Sequence, residues 1–271
     1  MKQVQLNDIR MAVQVRGGMG PPLLLLHGFP LDHRMWRDQI DVLAERSRVI
    51  APDLRGFGRT EPGSSEVTME RMADDLADLL DGLDIPEPVV LAGFSMGGYV
   101  AFQFLKRYPD RVRGLILCDT RALADSPEAA AGRLQTAAKV LEQGAGVTAE
   151  AMLPKMFSPQ TAAAQPDLVA RTQRMMLACP PAGIAAALGA MAARADARSL
   201  LPSIGVPTLV LVGELDSISS PAEMREMADA IDGAAYLVLS GAAHLTPMEQ
   251  PAAVNEAIAA FVDSLAPVGS P

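Results

Sequence analysis

Apolar positions along the chain alternate between two spacings. Short unbroken runs at Leu23–Leu26, Arg48–Pro52, Pro88–Phe94, Val112–Cys118, Val206–Val212 and Ala235–Leu239 have the length of strands buried on both faces. Between them, Arg34–Glu45, Thr68–Leu83, Met96–Arg107, Pro221–Ile231 and Pro251–Leu265 carry apolar residues at helical intervals. In the second of these, Met69, Met72, Leu76, Leu79 and Leu80 form one stripe. Ahead of them, Val4–Leu6 and Met11–Arg16 predict a short antiparallel pair turning at Asn7-Asp8. Such alternation predicts an α/β fold, with a mostly parallel sheet and helices on both faces.

The alternation stops at Arg121 and resumes after Leu200. The intervening stretch is rich in Ala and Met, keeps helical spacing, and is expected to break at Gly144, Pro154, Pro159, Pro166 and Pro180-Pro181. The predicted organisation is a core of residues 1–120 and 201–271, with residues 121–200 inserted as a helical cap. The tail Ala266–Pro271 is expected to be loose.

Composition narrows the function classes. A net charge of -9 argues against nucleic acid and against an anionic membrane as partners. No apolar run reaches the roughly 18 residues needed to span a bilayer. The N-terminus lacks a signal-peptide core, so a cytoplasmic location is expected. Two cysteines, Cys118 and Cys179, are too few for a disulfide framework and lack metal-ligand spacing.

The candidate chemistry starts at Gly93-Phe-Ser95-Met-Gly97, which follows an apolar strand and opens a helical stretch. A serine on such a turn is exposed, and its hydroxyl becomes nucleophilic once a base takes its proton. Of three histidines (His27, His33 and His244), His244 lies just past the strand Ala235–Leu239, at the same sheet edge as Ser95. It is the expected base. Asp216, past Val206–Val212, is the expected carboxylate to orient it, with Asp119 and Glu214 as rivals. An oxyanion needs donors. The Met96 N–H at the start of the helix and the Phe29 N–H in His27-Gly28-Phe29-Pro30 are the candidates, since Pro30 has no N–H. His27 is expected to hold that loop in place.

These segments, together with Asp53-Leu-Arg-Gly-Phe-Gly-Arg59, Gly213-Glu-Leu-Asp216 and Gly241-Ala-Ala-His244, resemble the α/β-hydrolase superfamily over nearly the whole chain. The nearest likeness is to small bacterial carboxylesterases and 3-oxoadipate enol-lactonase-like proteins. The resemblance implies a triad of Ser95, Asp216 and His244, an oxyanion hole from Phe29 and Met96, a helical cap, and no metal or cofactor. Serine at the elbow separates the chain from dehalogenases and epoxide hydrolases, which attack with Asp.

The expected activity is hydrolysis of carboxylic esters of short to medium acyl chains. The alternative is an enol-lactone hydrolase. Perhydrolase side activity and a non-catalytic ligand-binding role are minor readings. The expected partner is a small-molecule ester or lactone, and the chain a monomer or homodimer. Met152, Met156 and Met176 in the cap, with Trp36 and His33, are candidates for the pocket wall. Arg121, and more weakly Arg34, are candidates to hold a substrate carboxylate.

Overall fold

A computed structural model describes residues 1–18 and 20–265, so the expected loose tail lies outside the described residues. Eight strands form one sheet: β1 Lys2–Gln5, β2 Arg10–Arg16, β3 Pro22–Leu26, β4 Arg48–Pro52, β5 Val89–Phe94, β6 Val112–Cys118, β7 Thr208–Gly213 and β8 Ala235–Leu239. Their order is β1-β2-β4-β3-β5-β6-β7-β8. The β1–β2 and β2–β4 pairs are antiparallel, and every other pair is parallel. The helices are α1 Arg37–Leu43, α2 Met69–Gly82, α3 Met96–Arg107, α4 Pro127–Gln143, α5 Gly146–Met156, α6 Pro159–Ala164, α7 Pro166–Leu177, α8 Pro181–Ala193, α9 Pro221–Asp229, α10 Thr246–Glu249 and α11 Pro251–Ser264.

The strand runs are apolar throughout because both sheet faces are covered. Leu24 and Leu26 of β3 pack with Leu91, Leu115 and Val210 beneath α2, α3 and α9. Leu23 and Leu25 point the other way and pack with Val90, Ile116 and Leu211 beneath α1 and α11. The α/β class read from the pattern is therefore the observed one.

The differences lie at element ends. The stretch from Arg34 does not start as an α-helix. It begins as a 3-10 turn, His33–Trp36, whose first turn is capped by the Asp32 carboxylate accepting from Arg34 N–H at 2.9 Å. Thr68 caps α2 rather than joining it, its hydroxyl accepting from Arg71 N–H at 3.0 Å. The insertion breaks at Pro159, Pro166 and Pro180-Pro181 as expected, and in each case a proline opens the next helix, Pro159 α6, Pro166 α7 and Pro181 α8. A proline at the first helical position loses an N–H that the helix could not have used. Pro154 is the exception, standing inside α5 two residues before its end. Gly144 does end α4, with φ of 88°. Among the described residues no single helix is long and apolar enough to cross a membrane.

Helices α4–α8 lie between β6 and β7 and are seated on several core loops. Cys179 Sγ lies 3.3 Å from the Pro30 carbonyl after β3, and Met156 O accepts from Leu245 N–H after β8 at 3.0 Å. On the loop after β4 the seat is backbone on backbone. A Cβ added at Gly183, in the first turn of α8, would fall 1.9 Å from the Gly56 carbonyl oxygen. Gly183→Ala should therefore push α8 from its seat, at a cost of about 1–3 kcal/mol. Differential scanning calorimetry should show a Tm lowered by several degrees; an unchanged Tm would mean that α8 is not held there.

Candidate active site

The strand order reverses between β3 and β5. These strands are neighbours in the sheet, although β4 separates them in sequence and lies on the far side of β3. In open α/β sheets, ligands bind outside the C-terminal strand ends at such a reversal. Ser95 follows β5 at this point. Its backbone lies at φ 49°, ψ -114°, a conformation that costs a non-glycine residue about 1–3 kcal/mol. Three hydrogen bonds hold it. Its N–H donates to Cys118 O at 3.0 Å, and its carbonyl accepts from Gly98 N–H at 2.9 Å and Thr120 Oγ1 at 2.7 Å. Gly97 must lack a side chain, because a Cβ there would sit 2.5 Å from Leu26 O.

His244, on the loop after β8, is buried with its ring 5.1 Å from that of Phe94. Its Nε2 lies 3.0 Å from Ser95 Oγ, and its Nδ1 lies 2.8 Å from Asp216 Oδ2. With Nδ1–H donating to the carboxylate, Nε2 is left to accept the Ser95 hydroxyl proton. The other oxygen of Asp216 accepts from Ile218 N–H at 2.7 Å and Ser219 N–H at 3.0 Å, which fixes the carboxylate's plane.

The rival carboxylates have other partners. Asp119 accepts from Gly213 N–H at 3.0 Å and contacts Thr246 Oγ1, so it ties the loop carrying Asp216 to α10 beyond His244. Burial, and then the charge of Asp216, push its pKa well above the usual carboxylate range. Glu214 points away, accepting from Ser240 Oγ at 2.7 Å and Gly241 N–H at 2.9 Å. One bracing residue was not anticipated. Glu249 in α10 accepts from Ala243 N–H, beside His244, at 2.8 Å, and from Ser158 N–H, between α5 and α6, at 2.9 Å. Its signal was a carboxylate in an otherwise apolar segment following the histidine.

The loop after β3 lies against the serine. A Cβ added at Gly28 would come within 3.1 Å of Ser95 Cβ. His27 braces this loop, its Nε2 accepting from Leu54 N–H at 2.9 Å while Nδ1–H donates to Gly28 O at 2.9 Å. Met96 is the first residue of α3, so its N–H has no acceptor within the helix.

The other candidates separate into two groups. Trp36, Met156 and Met176 are fully buried in one apolar cluster with Phe94, and Met152 packs partly buried against it. Trp36 meets Phe94 edge-on at 6.4 Å, one ring away from His244. His33 and Arg121 are engaged elsewhere. The His33 Nδ1 lies 2.6 Å from Asp53 Oδ1, and the Arg121 guanidinium binds Glu223 at 3.0 Å and the Ile218 carbonyl. Arg34 is held by both oxygens of Asp32, the shortest contact 2.6 Å.

Among the described residues one cluster, Asp32, His33 and Asp53, brings potential metal-ligand atoms within 4.8 Å of one another. Its oxygens are already engaged by Arg34, His33 and Arg59 N–H.

Residues 21–251 match the family model of the alpha/beta hydrolase fold. The chain belongs to the α/β-hydrolase fold family. This hydrolase is similar over 97% of its length, at 45% identity and a TM-score of 0.95, to a thermophilic esterase from Thermogutta terrifontis, of which it covers 98%. It is 30% identical, with a TM-score of 0.90, to the enol-lactonase from Burkholderia xenovorans LB400, over 97% of this chain and 100% of that one. It is 28% identical to 3-oxoadipate enol-lactonase 2 of Acinetobacter baylyi, over 89% of this chain and 88% of the relative.

The His27 brace carries a pH dependence. Burial depresses the pKa of His27 below its ordinary 6.5, so the unfolded chain takes up this proton before the folded one does. The stability it contributes is complete above about pH 6.5 and is lost as pH falls from there toward the folded-state pKa. In His27→Gln, the fall in Tm on acidification from pH 8 to pH 5 should be shallower. An identical slope in both proteins would contradict this role for His27.

Proposed function

We propose that this α/β hydrolase is a serine carboxylic ester hydrolase. The observation that carries the reading is the continuous chain from Ser95 Oγ through His244 to Asp216, at 3.0 and 2.8 Å. In this reading His244 takes the Ser95 proton as Oγ attacks the ester carbonyl. The Phe29 and Met96 N–H groups hold the developing oxyanion. His244 then returns the proton to the departing alcohol, leaving an acyl-serine. Water deprotonated by the same imidazole releases the acid, while Asp216 keeps the ring in the required tautomer.

Helices α4–α8 act as the cap. In this reading the buried apolar cluster of Trp36, Phe94, Met156 and Met176 packs beside the His244 ring and backs the acyl side of the site. The engagement of Arg121 by Glu223, and of Arg34 by Asp32, favours an uncharged ester over a substrate bearing a carboxylate. Enol-lactone hydrolysis by the same chemistry is the second reading, supported by the enol-lactonases among the relatives.

Hydrolysis of p-nitrophenyl esters from acetate to decanoate should proceed best with the shorter chains. Ser95→Ala should lower kcat by at least about 10⁴-fold while remaining folded. Turnover that survives in the variant would rule out Ser95 as the nucleophile. Preference for a carboxylated enol-lactone over every ester in the series would shift the assignment to the second reading.

A further inference from the structure

One groove, lined by none of Ser95, Asp216 and His244, stands apart by its charge. It lies between the α1 region of the core and α7, has a volume of about 510 Å³ open to solvent on one side, and its lining holds five arginines, Arg16, Arg34, Arg37, Arg171 and Arg174, against one carboxylate, Asp41. The chain carries 32 acidic against 23 basic residues, so a run of five arginines is not a sample of its general surface. Elsewhere arginines such as Arg10, Arg46, Arg107 and Arg198 each face a carboxylate within 2.7 Å.

Inside the groove that compensation is incomplete. Arg16 pairs with Asp41, and Arg34 with Asp32. Arg171 approaches Asp38 only to 3.9 Å, and its Nε is buried without an acceptor. Arg37 and Arg174 have no carboxylate within ion-pair distance among the described residues. Uncompensated like charges around one concavity create a field that draws in an anion. Guanidinium forks match phosphate and carboxylate oxygens two at a time. The volume is that of a small-molecule site rather than a flat protein contact.

We propose that this groove binds a small polyanion, a molecule with two or more phosphate or carboxylate groups, that bridges Arg37 of the core to Arg174 of the insertion. Occupancy ties α7 to α1 and so holds the inserted helices down on the core. The site is separate from Ser95, and neither bridging arginine contacts the Ser95–His244–Asp216 chain.

Isothermal titration calorimetry with pyrophosphate and with citrate, at constant ionic strength, tests it. The wild type should bind one or both at a single site. Arg37→Gln/Arg174→Gln should weaken that affinity by at least about tenfold, with p-nitrophenyl ester turnover unchanged. Binding of pyrophosphate alone assigns the site to phosphate esters, and of citrate alone to polycarboxylates. If the double variant melts early, the single substitutions are used, each expected to weaken binding. The proposal is overturned by the absence of saturable binding, or by equal affinity in wild type and variant. Binding of polyglutamate but of neither small anion also overturns it, and makes the groove a docking surface for an acidic polypeptide.

Discussion

Everything at the candidate site depends on one imidazole facing two ways at once. His244 must present Nε2 to a serine after β5 and Nδ1 to a carboxylate after β7, while its own backbone leaves β8. A hydrogen bond tolerates only a few tenths of an ångström in distance before it weakens. Three loops that are remote in sequence must therefore be set against one another with that tolerance. Parallel strands about 4.8 Å apart do the coarse placement. Buried side chains between the loops do the rest. Asp119 joins the Asp216 loop to α10, and Glu249 joins the His244 loop to the inserted helices.

The price of this arrangement is strain and buried charge gathered in one place. Ser95 occupies an unfavourable backbone region, Asp119 has a positive φ of 45°, and two carboxylates lie close together in the interior. The two apolar layers offset these costs. The layers alternate residue by residue along β5, so the strand that leads into the strained turn is packed from both sides. The loop after β4 contributes a polar clamp of its own. Its Arg55 is fully buried, with both oxygens of Asp75 at 2.7 Å and Asp8 at the same distance.

The sheet and its flanking helices were legible because each strand is a short apolar run and each helix a stripe, and tertiary packing did not override either pattern. Ser95, Asp216 and His244 were legible for the same reason. Each lies just past a strand whose end could be located, and a parallel sheet brings such ends to one edge. The breaks in the insertion were legible because a proline that opens a helix also separates it from the one before; Pro154, inside α5, is the exception, since nothing local tells a proline within a helix from one between two. Glu249 and Thr246 were not read because their role is to satisfy N–H and carboxyl groups of loops that only the folded chain brings together. The partners that engage Arg121 and His33 were invisible for the same reason. Glu223 and Asp53 are distant in sequence, and no local pattern announces them.

The contacts of the α5–α6 junction have a consequence for how this protein can be rebuilt. Met156 O and Ser158 N–H reach the residues on either side of His244, directly through Leu245 and through Glu249 to Ala243. The inserted helices are thus not an interchangeable roof. A chimaera that grafts them from a relative replaces part of the scaffold behind the imidazole as well as the helices themselves. The packing of the insertion and the placement of the imidazole are inherited together, and a graft that keeps the second has to carry the Ser158–Glu249 and Met156–Leu245 pairs along with it.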